Sequence, residues 1–248
     1  MKCQPNTLDF QKWQKWQQSL NRIEQEMRGL CFVRGMFERV HSLTNNSKNL
    51  KKCPSDLFFV WSWNCYIVCL GMGIRRLVDK RSNEKNLYQL LEDIKENACQ
   101  ISVENYAQYM FEKKRHKKRI NNSSDKTDNQ KTVLIESYEK SERKLARRVF
   151  KEALGNRAQS LLCCDVGEDI KKIEKGPKKK VEKFVDKCWA HLDKKPNAPQ
   201  LREVYEAFDL LINIYNKYSL LTAGHKFHLP EEVLFNQWDS PFRMVWIE

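Results

Sequence analysis

Two adjacent arginines, Arg75 and Arg76, close an eighteen-residue stretch without charge, Leu57 to Ile74, and Asp79 follows three and four residues on. On a helix that spacing lets the carboxylate orient one guanidinium. The constellation can then grip a phosphate, or it can be an ion pair that fixes helix packing. Further cations come in runs: Lys113, Lys114, Arg115, Lys117, Lys118 and Arg119 around His116, and the stretch from Lys171 to Lys180. Such runs hold a phosphate backbone without reading its sequence, or they form a solvated face.

Other reactive residue types lack supporting patterns. His225 and His228 frame the tetrapeptide HKFH, but no carboxylate or thiol lies near enough in sequence to complete a metal site. His191 and His116 read as surface residues. The nine cysteines are scattered without a CxxC pair, and adjacent Cys163 and Cys164 suit neither a disulfide nor a zinc knuckle. Reduced, mostly buried thiols and a cytoplasmic location are the expectation. Phosphate-binding glycine loops, GxSxG and HExxH are absent, so nucleotide hydrolysis, dinucleotide chemistry and zinc proteolysis have no local support. No metal or cofactor is expected.

The elements that position these residues are helical. Only eight glycines and seven prolines punctuate 248 residues, 41% of them hydrophobic, and the intervening stretches are rich in Leu, Glu, Lys, Gln and Arg. A formal charge of +13 implies a polyanionic partner, nucleic acid or an acidic membrane surface. The N-terminal MKCQPNTLDFQKW lacks the apolar run of a signal peptide. Leu57 to Ile74 approaches the length of a membrane span, yet Ser62, Asn64, Gly71, Gly73 and the continuation RRLVD favour a buried central helix. A membrane-disrupting effector is the minor reading.

Apolar residues at three- and four-residue steps (Leu8, Phe10, Trp13, Trp16, Leu20, Ile23, Met27) predict an amphipathic helix within 7–43 that continues or restarts after Gly29. Ser55 or Asp56 caps the next, running to about Val78. Leu87, Leu90, Leu91 and Ile94 mark a shorter helix, and another follows Ser102. The polar residues 115–131 read as a loop, 132–164 and 178–193 as helices, and Leu201 to Ala223 as the last long helix, ended by Gly224. Together these predict an all-α protein: a single helical bundle over 1–248, with an exposed basic insertion at 113–131 and an aromatic tail at 225–248 packed on the body.

The apolar helix running into IRRLVDKRS (Ile74 to Ser82), the leucine-rich helix after it, the Tyr-rich helix ending YSLLTAG, and a tail of the form W-x-x-x-F-x-x-x-W (Trp238, Phe242, Trp246) resemble the AbiU-type branch of the HEPN superfamily. The resemblance covers most of 8–110 and 200–248. It implies an all-α bundle, often dimeric, in a superfamily rich in metal-independent RNA-cleaving toxins and antiphage proteins.

Such enzymes carry an arginine and a histidine separated by four to six residues. Here Arg34 and His41 are the pair at that spacing. The histidine would take the proton of a ribose 2′-hydroxyl and the arginine would hold the phosphate as its charge develops. A seven-residue step returns a helical side chain to nearly the same face, so both could meet one phosphate. The alternative is that Arg34 is a surface residue and His41 caps or follows a helix end. The functional expectation is an RNA-targeting defence protein, either a metal-independent endoribonuclease or a non-catalytic module binding RNA or a partner protein. The resemblance implies a homodimer, a regulatory partner would hold such a toxin in check, and no membrane is expected.

Overall fold

The computed structural model describes residues 9–46, 56–81, 85–114, 120, 122, 127–156, 159–182, 185 and 201–227. The chain is all-α. Its elements are α1 (Phe10–Asn46), α2 (Asp56–Val78), α3 (Leu87–Glu96), a 3₁₀ turn (Ala98–Gln100), α4 (Val103–Lys113), α5 (Asp128–Leu154), α6 (Cys163–Ile173), a π-helical stretch (Glu174–Glu182) and α7 (Leu201–Ala223). Among the described residues the one β feature is an isolated bridge between Ser102 and Ser160. No helix among them is long and apolar enough to cross a membrane.

The helices form two compact units. The first comprises Met1–Leu20, Gln89–Lys171 and Asn213–Lys226, the second Asn21–Tyr88, Lys172–Ile212 and Phe227–Glu248. In the first, Trp13 and Trp16 of α1 are fully buried. Trp13 packs on Tyr109 and Tyr106 at ring-centroid distances of 4.9 and 6.2 Å, and Tyr106 meets Phe150 edge-on at 6.1 Å. Burial of these rings is a large apolar contribution to that core. Trp16 also donates its Nε1–H to Asp93 at 2.7 Å. The buried Asp169 carboxylate takes both the Lys217 ammonium at 2.7 Å and the Tyr218 hydroxyl at 3.1 Å.

Local signals set most helix ends. The Ser102 side chain accepts the Asn105 N–H at the start of α4, as a polar residue before an apolar run predicts. Thr127 and Gln130 form a reciprocal capping box, so α5 begins at Asp128, inside the stretch read from sequence as a loop. Arg115 and Lys117 to Arg119 of the basic insertion lie outside the described residues, as does most of the aromatic tail.

The end of α5 also differs from the sequence reading. Residues 132–164 are not one helix: α5 stops at Leu154, where Gly155 adopts φ +88°, and the chain then pairs with the start of α4 through the Val103 N–H to Gln159 O and Leu161 N–H to Ile101 O bonds. A glycine adopts a positive φ without the steric penalty that a Cβ would bring. Gly224 ends α7 in the same way, at φ +78°, donating to Ser219 and Leu220. A Cβ there would also overlap the Tyr106 hydroxyl. Gly224→Ala is therefore expected to destabilise the protein by about 1–2 kcal/mol, read as a lower urea midpoint; an unchanged midpoint would refute this account of the cap.

In the second unit α1, α2 and α7 converge. Leu30 of α1 fills the space where Gly73 of α2 lacks a side chain, and Val181 and Val185 lie against Gly71. From Ile173 the buried residues Pro177, Val181 and Val185 recur every four positions. An α-helix of 3.6 residues per turn would rotate that row away from the core, and the wider π winding keeps it facing inward. The helix read from sequence as 178–193 thus continues directly from α6; residues 186–193 lie outside the described part.

Candidate active site

Along α1 the buried residues Trp13, Trp16, Leu20, Ile23, Met27 and Leu30 alternate steps of three and four. That row is the inward seam of a helix. Continuing the alternation from Leu30 reaches Arg34, Phe37 and His41. Helix α1 is unbroken through Gly29 to Asn46, so the three stay in register with the core. Two ionisable side chains thus occupy positions that an apolar residue fills elsewhere on the seam, a departure characteristic of functional sites.

Arg34 is held on several sides. Its Nε donates to Glu38 at 3.0 Å, its Nη1 to Asp209 of α7 at 2.7 Å, and its guanidinium carbon lies 4.1 Å above the Tyr205 ring. Glu38 sits one turn further along α1. Partial burial disfavours the charge on Arg34, but the Glu38 and Asp209 carboxylates outweigh it and hold the guanidinium above its ordinary value. The side chain remains 27% exposed, so its planar fork stays accessible to an anion.

Aromatic rings floor the site. Phe37 stacks on Tyr66 of α2 at 3.9 Å and 6°, and Tyr66 meets Tyr205 edge-on at 6.4 Å. The buried hydroxyls of Tyr66 and Tyr205 have no hydrogen-bond partner of ordinary geometry among the described residues. Burial pushes both phenols above their usual range, so they stay protonated. Burial likewise pushes the neighbouring Cys31 thiol up to about 11, which leaves it a weak nucleophile. His41 stacks on the other end of Phe37 at 5.9 Å and is exposed. Phe37 thus spaces the exposed imidazole from the partly exposed guanidinium on one helix face.

The remaining sequence-selected residues lie elsewhere. Arg76 is 65% exposed with Nε 4.0 Å from Glu26. The Asp79 carboxylate accepts the Arg81 N–H at 2.8 Å, capping the turn after α2. Lys113 reaches Gln17 at 3.0 Å and Lys114 pairs with buried Glu142 at 2.6 Å. Cys31, Cys65, Cys69, Cys99, Cys163 and Cys164 are free thiols. Trp238, Phe242 and Trp246 lie outside the described residues. Sequence reasoning missed Glu38, Tyr66, Tyr205 and Asp209. Only Glu38 had a local signal, its four-residue spacing from Arg34.

Arg34 and His41 thus fall on one face of a long helix in an all-α protein. The chain belongs to the AbiU2 family of HEPN domains, whose family model matches residues 14–236. It is an abortive-infection-associated HEPN domain, which is compatible with a role in defence. The matched span ends before Trp238, so the W-x-x-x-F-x-x-x-W pattern lies outside it. No curated protein matches the chain, and no solved structure does.

Proposed function

We propose that this protein is an RNA-targeting component of a prokaryotic antiphage or toxin-type defence system and acts as a metal-independent endoribonuclease. The observation that carries the reading is the seam of α1, which places Arg34 and His41 on one face with Phe37 between them. His41 removes the proton of a ribose 2′-hydroxyl. The 2′-oxygen attacks phosphorus, the bond to the 5′-oxygen breaks, and that oxygen leaves with a proton returned from the imidazolium. Arg34 carries the negative charge that grows on the non-bridging oxygens.

In the structure Glu38 and Asp209 occupy two N–H positions of Arg34. An incoming phosphate competes with them for the guanidinium. The same contacts favour a second reading, a non-catalytic helical module in which Arg34 only ties α1 to α7 and the basic surface binds RNA or a partner protein.

Incubation of the purified protein with total RNA and tRNA in excess EDTA separates the two. Cleavage that leaves cyclic phosphate ends is expected. Retention of RNA without cleavage would overturn catalysis and leave the binding module.

A further inference from the structure

Two basic segments far apart in sequence meet at one tyrosine in the second unit. Lys80, in the turn after α2, places its ammonium 4.7 Å from the ring centroid of Tyr88, and Lys178 of the π-helical stretch reaches the same ring at 5.3 Å. Glu174 fastens the junction, accepting from Lys80 at 2.8 Å and from the Tyr88 hydroxyl at 2.9 Å. Lys80 and, secondarily, Tyr88 hold the Glu174 carboxyl below its ordinary range, so it stays charged and neutralises one of the two lysines. Lys178 adds to the field that lowers Glu174 but forms no salt bridge among the described residues, and neither do Lys175 and Lys179.

The π winding determines where these lysines point. With Ile173, Pro177 and Val181 buried, Lys175, Lys179 and Lys180 fall on the exposed side. Lys80 and Arg81 are exposed beside the same junction. Across residues 79–85 and 174–180 seven Lys and Arg side chains stand against three carboxylates. Like charges gathered around one ring repel one another, and a polyanion relieves that repulsion. The apolar residues of the stretch are already buried in the protein, so it has no apolar face to insert between lipids. The charge pattern therefore suits a nucleic-acid backbone better than a membrane.

We propose that the face built by Lys80, Arg81, Lys175, Lys178 and Lys179 is a binding site for the phosphate backbone of RNA, separate from Arg34 and His41. It rests on the RNA-targeting reading above but does not require cleavage. Backbone contacts release condensed counterions, so each phosphate–lysine contact adds about 0.7 to the slope of log affinity against log salt for a single strand.

The test is fluorescence anisotropy of a labelled single-stranded RNA oligonucleotide over a salt series, with the full chain and the triple variant Lys175→Gln/Lys178→Gln/Lys179→Gln. Lys175 and Lys179 are exposed and Lys178 is half-buried over the Tyr88 ring, so a circular dichroism melt checks that the variant is folded. A loss of affinity of tenfold or more at low salt and a slope shallower by about 2 are expected. A second variant, Lys175→Arg/Lys178→Arg/Lys179→Arg, should restore both. An unchanged slope in the Gln variant overturns the proposal, as does full-chain binding to vesicles of anionic lipid with none to RNA. RNA cleavage by a Gln variant with wild-type affinity would remove this face and leave the nuclease reading intact. Slope loss in a protein that cleaves nothing would remove the nuclease reading and leave this face.

Discussion

His41→Ala lowers the rate of RNA cleavage in EDTA by about 10²–10⁴-fold, the usual contribution of a positioned general base. Because the imidazole is exposed at the surface beside Phe37, its removal leaves the helical fold and melting temperature nearly unchanged. Arg34→Lys should lose about 10²-fold or more, since a single ammonium cannot meet a phosphate with a planar fork. Its structural consequences are small: Glu38 and Asp209 are about half exposed and return to water when their partner is lost, at a cost under about 1 kcal/mol. Loss of activity with fold retained would locate the chemistry. Undiminished cleavage by both variants would remove Arg34 and His41 from the mechanism.

Trp16→Ala should be strongly destabilising, at about 3–5 kcal/mol. The side chain is fully buried, so truncation opens a cavity that its neighbours fill only in part. It also strands the hydrogen bond to Asp93, although Asp93 is 32% exposed and can be solvated. Trp16→Phe separates the contributions, keeping most of the apolar volume while losing the Nε1–H donor, so about 1–2 kcal/mol is expected. Total stabilities of about 5–15 kcal/mol make the alanine variant marginal. Urea denaturation measures both, and a loss below 1 kcal/mol for Trp16→Ala would contradict the packing described here.

Of the candidate site, the part legible in the sequence was the part with a local signal. Arg34 and His41 could be found because their separation matches a helical repeat, and Glu38 could have been found from the same repeat. Asp209 could not, because its contact with Arg34 joins residues 175 positions apart, and on its own helix it is one more exposed carboxylate. The Asp79 carboxylate shows the converse. Its spacing from Arg75 and Arg76 suited an ion pair, yet a backbone N–H two residues on was the nearer partner.

The sequence by itself determined the all-α class, the inward stripe of α1, the caps at Ser102 and Gly224 and the family, because periodicity and capping depend on residues within a turn or two of one another. Only the tertiary structure decided that α1 runs unbroken past Gly29, that α6 winds on as a π-helix, and that Arg34 is shared between two carboxylates and a tyrosine ring. It also decided that Lys80 and Lys178 meet at Tyr88. These outcomes depend on which distant side chains arrive at the same place, and that information lies in the packing of helices against one another, not in the spacing along any one of them.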